Sequence, residues 1–264
     1  MNTRKRIGLE MRQNSPDIKK TREIAFVRIA REALPEVWPD ELGVEVPSES
    51  PDVVLESGAL SVGIEVTELV NETVKNGEAR RRKVCTRARN IANLGLGIDV
   101  AVLFRREVDL ARPAEREEAA KLISSLVLQH AAGRAGEDWR VRVDCWGTPL
   151  WTYVSTVFVH YIEGWQFERW HSAEAWPVGS LDPARLRKAI HGKEPRLSAY
   201  RQKTSTVYLL IVAEGFTGST AVHIPTHTLD ATYSTDFDGV VLLDRAMGQA
   251  HLLATTRPTS SATT

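Results

Sequence analysis

The sequence predicts an α/β protein whose mixed β-sheet is flanked by helices, and three observations carry that prediction. Apolar runs of strand length, IDVAVLF at 98–104, VYLLIVAEG at 207–215 and FDGVVLLD at 237–244, are continuous rather than alternating, as expected for strands buried on both faces. Segments of helical character lie between the strands, the order that builds layered α/β folds. The composition, 264 residues with 42% hydrophobic and 26% charged, suits a soluble globular chain long enough to bury a substantial core.

A first helix is expected over 17–34, where Ile24, Val27, Ile29 and Ala33 mix with Lys and Arg until Pro35 ends the run. PSESPDVVLESGALSVGIEVTEL then reads as a β-hairpin, with Val53-Val54-Leu55 rising to a turn at Ser57-Gly58 and Leu60 to Val66 descending. A helix over 74–94 carries an Arg/Lys cluster and ends at Gly95, and another runs over 114–132, from Pro113 to near Gly133. Residues 134–180 hold six of the seven tryptophans among alternating stretches such as WRVRVDCW and VSTVFVHYI, which predicts a strand-containing insertion. Helix-like sequence returns over 182–203, broken by Gly192 and Pro195. These elements are expected to form one domain over 1–254, with 255–264 a disordered tail.

Composition also excludes functions. The N-terminus has charge but no apolar stretch behind it, and no run of about 18 apolar residues exists, so secretory and membrane readings drop out. Two cysteines, Cys85 and Cys145, make neither a disulfide framework nor a cysteine zinc site, which fits a reducing compartment and predicts a cytoplasmic protein. Neither GxxxxGK nor GxGxxG occurs, so nothing supports nucleotide-driven activity.

The 34 Lys and Arg balance the 34 Asp and Glu, yet the charge is segregated. From Glu32 to Val74 there are eleven acids and no Lys, Arg or His, while residues 1–22, 78–89 and 181–203 are strongly basic. Basic runs often decorate solvated helix faces. An acidic block able to gather a divalent cation, flanked by segments able to hold phosphates, is also what a metal-dependent enzyme of nucleic acid requires. Within that block Asp52 opens one strand of the hairpin and Glu65 closes the next. With the turn near Ser57-Gly58, Asp52 comes close to the level of Glu65 in an antiparallel pair. Two carboxylates this close repel unless a cation sits between them, and Mg²⁺ (or Mn²⁺) suits the pair, with the Val66 carbonyl as a third oxygen.

PDVVLESGALSVGIEVTEL resembles the metal-binding hairpin of the PD-(D/E)XK nuclease superfamily, in which an Asp after Pro begins one strand and Glu-x-Lys ends the next. Thr67 stands at the lysine position. Many members of the superfamily lack that lysine and take one from a following helix. AIHGKEPRLSAYRQKTSTVYLLIVAEG resembles a segment of uncharacterised bacterial members in which a Lys and a Tyr precede a buried strand, here Lys193 and Tyr200. The resemblance implies a restriction-endonuclease-like core with catalytic Asp52, Glu65 and Lys193. Two segments compete to complete it, 74–104 and 182–213; the second has the more specific pattern, although Pro195 disfavours a helix through Lys193. The superfamily's first helix often lends a further acid to the metal. Glu23 and Glu32 are the candidates, nine positions apart and so on different faces, and Glu32 is preferred as the first member of the base-free block.

The reading is a Mg²⁺- or Mn²⁺-dependent nuclease acting on DNA, with Arg80, Arg81, Arg82 and Lys83 against backbone phosphates and Tyr200 also facing nucleic acid. The alternative is a catalytically degenerate relative that binds nucleic acid or a protein partner. A homodimer would suit double-strand cutting, but the sequence names no dimer face. Among weaker signals, His223 and His227 are spaced as zinc ligands on a helix, which Pro225 opposes, and the tryptophans are read as buried rather than as stacking platforms.

Overall fold

A computed structural model describes residues 16–58, 60–132, 138–173 and 178–258. In chain order the elements are α1 (Pro16–Ala33), β1 (Val44–Pro47), β2 (Val53–Ser57), β3 (Leu60–Glu68), α2 (Glu72–Ala92), β4 (Ile98–Phe104), α3 (Pro113–Ala131), β5 (Trp139–Asp144), β6 (Val154–Tyr161) and β7 (Arg169–Ser172). They continue with β8 (Gly179–Ser180), α4 (Pro183–His191), α5 (Leu197–Tyr200), β9 (Thr206–Ala213), β10 (Val222–His223), α6 (Thr226–Leu229), β11 (Thr232–Ser234), β12 (Gly239–Asp244), β13 (Gln249–Leu252) and β14 (Ala254–Thr256). No helix among the described residues is long and apolar enough to cross a membrane.

The expected single domain is instead two compact units, one made from both ends of the chain (Met1–Leu69 with Val178–Thr264) and one continuous (Val70–Pro177). The Trp-rich stretch is therefore only part of the inserted unit, which also takes the strand IDVAVLF and the helices on either side of it. In the first unit a six-stranded mixed sheet has the order β1-β2-β3-β9-β12-β13, with β3, β9 and β12 parallel and the remaining pairs antiparallel. β3 thus pairs with the strand of the 182–213 segment, not with that of 74–104. One face packs on Phe26, Val27 and Ala30 of α1 and on Trp38; the other packs on Leu186 and Ile190 of α4 and Leu197 and Tyr200 of α5. Covered on both faces, β9 and β12 need the continuous apolar runs seen in the sequence.

In the second unit a four-stranded sheet, β5-β6-β4-β7, carries α2 and α3 on one face, with Val84, Cys85, Ala88, Ala120 and Ile123 packed on Val100, Val102 and Val157. Local chemistry sets the helix ends. The Asn71 side chain caps α2 by accepting the Val74 N–H, and Asn93, not Gly95, takes the left-handed turn that ends it, at φ 46°. The expected tail at 255–264 is ordered in part: β14 pairs with β11, and Arg257 reaches Asp238 at 2.7 Å. Residues 259–264 of that tail, Trp176 and the stretch 134–137 lie outside the described residues.

Candidate active site

The hairpin register decides the site. Val53 pairs with Ile64 and Ser57 with Leu60, so Asp52 lies level with Glu65, and the Asp52 Oδ2 accepts the Val66 N–H at 2.9 Å. Glu65 is only 3% exposed and sits on the α4–α5 side of the sheet, because the alternate residues Ile64 and Val66 point to the α1 side. Lys193 joins it from 128 residues along the chain. Its Nζ donates to the Glu65 Oε1 at 2.6 Å and lies 3.5 Å from the Val66 carbonyl oxygen. Pro195 does break the helix, since α4 stops at His191; Lys193 occupies the turn that follows, and the turn aims its ammonium at β3.

Tyr200, expected to face nucleic acid, is buried instead. It is 2% exposed, and its hydroxyl is buried without a hydrogen-bond partner among the described residues. Burial, and then the Glu65 charge, push its pKa upward.

The first helix contributes Glu23, not Glu32. Glu32 is exposed, whereas Glu23 is 6% exposed and borders the same cavity as Asp52 and Glu65. Nine residues rotate a helix by about 180°, so only one of the two can face the sheet. Phe26, Val27 and Ala30 line the buried face, and Glu23 precedes them by the intervals that share a face, which is the sequence signal that names it. Lys19 bridges the acids, 3.0 Å from Glu23 and 4.0 Å from Asp52.

Lys19, Glu23, Asp52, Glu65 and Tyr200 line a cavity of about 220 Å³ together with Lys20, Glu49 and Arg196. Its acids are electrostatically crowded. Burial first and the neighbouring Glu65 second raise Asp52 from 3.8 to about 6, and burial with the Asp52 charge also raises Glu23. The groups able to offer oxygen to a hard cation are Asp52, Glu65 and the Val66 carbonyl. Among the described residues no three His, Cys, Asp or Glu side chains gather closely enough to hold one ion.

The basic run on α2 belongs to the other unit and does not act as a block. Arg81 is 4% exposed, its guanidinium over the Phe104 ring and donating to the Val108 carbonyl, so it cannot reach a phosphate. Arg80 pairs with Asp109. Arg82 and Lys83 are exposed beside a groove that also includes Arg87, itself paired with Glu117. His223 and His227 fall on β10 and α6, either side of Pro225. Compared with known proteins, the chain matches no family model, no curated protein and no solved structure.

Proposed function

We propose that the first unit is a restriction-endonuclease-like domain that hydrolyses phosphodiester bonds in DNA with Mg²⁺ or Mn²⁺, in the cytoplasm. The observation that carries this reading is the meeting of Asp52 and Glu65 on one polar cavity, with Lys193 hydrogen-bonded to Glu65 at 2.6 Å. Two carboxylates and a carbonyl fit magnesium, which keeps waters in the rest of its shell, and not zinc, which takes nitrogen or sulfur donors. The raised Asp52 supports the same choice, because a buried acid crowded by another acid is relieved by a cation. A bound divalent ion supplies a water of lowered pKa and offsets charge on the phosphoryl oxygens.

The protein's own groups do the rest. Asp52 and Glu65 hold the ion in place. Lys193, a compact point charge beside Glu65, hydrogen-bonds the attacking water or a phosphoryl oxygen, and the buried Tyr200 hydroxyl is a donor that lines the cavity. Lys19, Lys20 and Arg196 at the rim attract the backbone phosphates.

A second reading, a degenerate relative that binds without cutting, is favoured by one observation. The Lys193 ammonium lies against Glu65 and the Val66 carbonyl, two of the three oxygens the ion would need. Cleavage of supercoiled plasmid, linear duplex and single-stranded DNA with Mg²⁺ or Mn²⁺ separates the two. Nuclease activity predicts metal-dependent cutting that Asp52→Ala, Glu65→Ala and Lys193→Ala each abolish. Cutting that survives the carboxylate variants is a contaminant and refutes the site, and no cutting on any substrate selects the degenerate reading.

A further inference from the structure

Strand alternation in the second unit separates two faces of its sheet. Val100, Val102, Val157 and Val159 face the helices, so the residues between them face away. The pairing register aligns that outer face in rows. One row runs Arg142, Phe158, Ala101 and His171 across β5, β6, β4 and β7, and the row beside it runs Arg140, His160, Asp99 and Arg169. No helix among the described residues of this unit covers them: the arginines are exposed and Phe158 is partly exposed.

The chemistry of the face is specific. Phe158 lies between Ala101, too small to cover its ring, and Arg142, whose guanidinium is 5.8 Å from the ring centroid. Three arginines meet two aspartates, and both acids are engaged. Asp99 accepts a two-pronged pair from Arg169 at 2.8 and 2.7 Å, and Asp144 accepts the Trp146 N–H at 3.0 Å. Arg140 and Arg142 have no ion pair among the described residues. An aromatic ring on the outer face of the sheet, with two guanidinium groups free of ion pairs one strand away, matches a partner that offers flat π-faces and phosphates together.

We propose that this outer face binds single-stranded nucleic acid, with one base stacked on Phe158 and the backbone held by Arg140 and Arg142. A duplex keeps its bases stacked inside and cannot offer one to a ring on a flat sheet, and an acidic protein would gain nothing from the ring's open side. The proposal does not rest on the nuclease reading, since the residues belong to the other unit.

Anisotropy of labelled oligothymidylate with the full-length chain in EDTA tests it, because cleavage is then silent. Binding is expected to fall about tenfold in Phe158→Leu, which keeps apolar volume but no π-face, and to persist in Phe158→Trp. Arg140→Glu and Arg142→Glu, exposed and harmless to folding, are expected to weaken binding at least as much and to flatten its salt dependence. Failure of wild type to bind, equal binding by Phe158→Leu, or preference for duplex that disappears only in Arg82→Glu and Lys83→Glu would overturn the proposal. Loss of cleavage in the Asp52 and Glu65 variants would leave it standing.

Discussion

Asp52 illustrates how a buried carboxylate crowded by another acid costs a fold stability. Its folded pKa of about 6 lies above the ordinary 3.8, so the native chain holds that proton more tightly than the unfolded chain does. The penalty is absent below about pH 4, grows as pH rises between the two values and is complete above about 6. Asp52→Asn keeps an oxygen for the Val66 N–H and removes the charge. It is expected to stabilise the protein without added metal by up to about 3 kcal/mol at pH 8 and by nothing at pH 4, read from urea unfolding. Mg²⁺ or Mn²⁺ is expected to raise the melting temperature of the wild type and not of the variant, in line with the proposed function. Lys193 argues in the other direction. Its side chain is 22% exposed and answers the charge of Glu65, 4% exposed, so Lys193→Met leaves a buried carboxylate alone and is expected to cost about 2–4 kcal/mol. Adding Glu65→Gln is expected to restore most of that stability in a double-mutant cycle, while the cleavage of the proposed function stays lost; stability that does not recover would mean the lysine acts through packing instead.

At the scale of elements, the hairpin was legible because two simple rules agree there: alternation fixes which residues share a face, and a two-residue turn fixes register. Gly58 at that turn has φ +58°, a conformation that favours glycine. The sequence therefore brings Asp52 near Glu65, and the structure fixes the level by closing the turn one residue later than expected, with Ser57 paired to Leu60. The helices were less legible for identifiable reasons. Glu32 was preferred over Glu23 on charge pattern, when the apolar stripe of α1 was the stronger signal. The basic run 80–83 was read as one patch, although consecutive helical residues point in different directions and Arg81 turns into the core. Lys193 was named by resemblance, and its position on a turn after α4 is a tertiary fact that no local rule contains. One further constraint belongs to β3. A Cβ on Gly63 would stand 2.6 Å from the Pro51 Cγ and 2.6 Å from the Thr204 Oγ1, so the residue before Asp52 packs where a side chain would be. Gly63→Ala is expected to destabilise by about 1–3 kcal/mol and, under the proposed function, to lower cleavage further than that loss explains, by displacing Asp52; cleavage per folded molecule equal to wild type would show that the strand absorbs the change.

At the scale of the whole molecule, the division into units was hidden because both halves are written in the same alternation of helices and apolar strands. The chain leaves the first unit after Leu69 without a Pro or Gly beside it, and returns at Val178 between Pro177 and Gly179, a signal too short to stand out from the other turns. What distinguishes the units is the separation of their cores. The cluster around Val84, Ile123 and Val157 draws only on residues of the inserted segment, and the clusters around Leu209 and Ile64 draw only on the rest. A continuous segment of about 100 residues with its own core is of the size that folds alone. Residues 70–177 expressed by themselves are therefore expected to unfold cooperatively in urea, with one transition seen by both far-ultraviolet circular dichroism and tryptophan fluorescence. A broad transition, or probes that disagree, would show that this core depends on the rest of the chain. A cooperative fragment would also allow the outer face of its sheet to be titrated with oligothymidylate apart from the Asp52–Glu65 cavity.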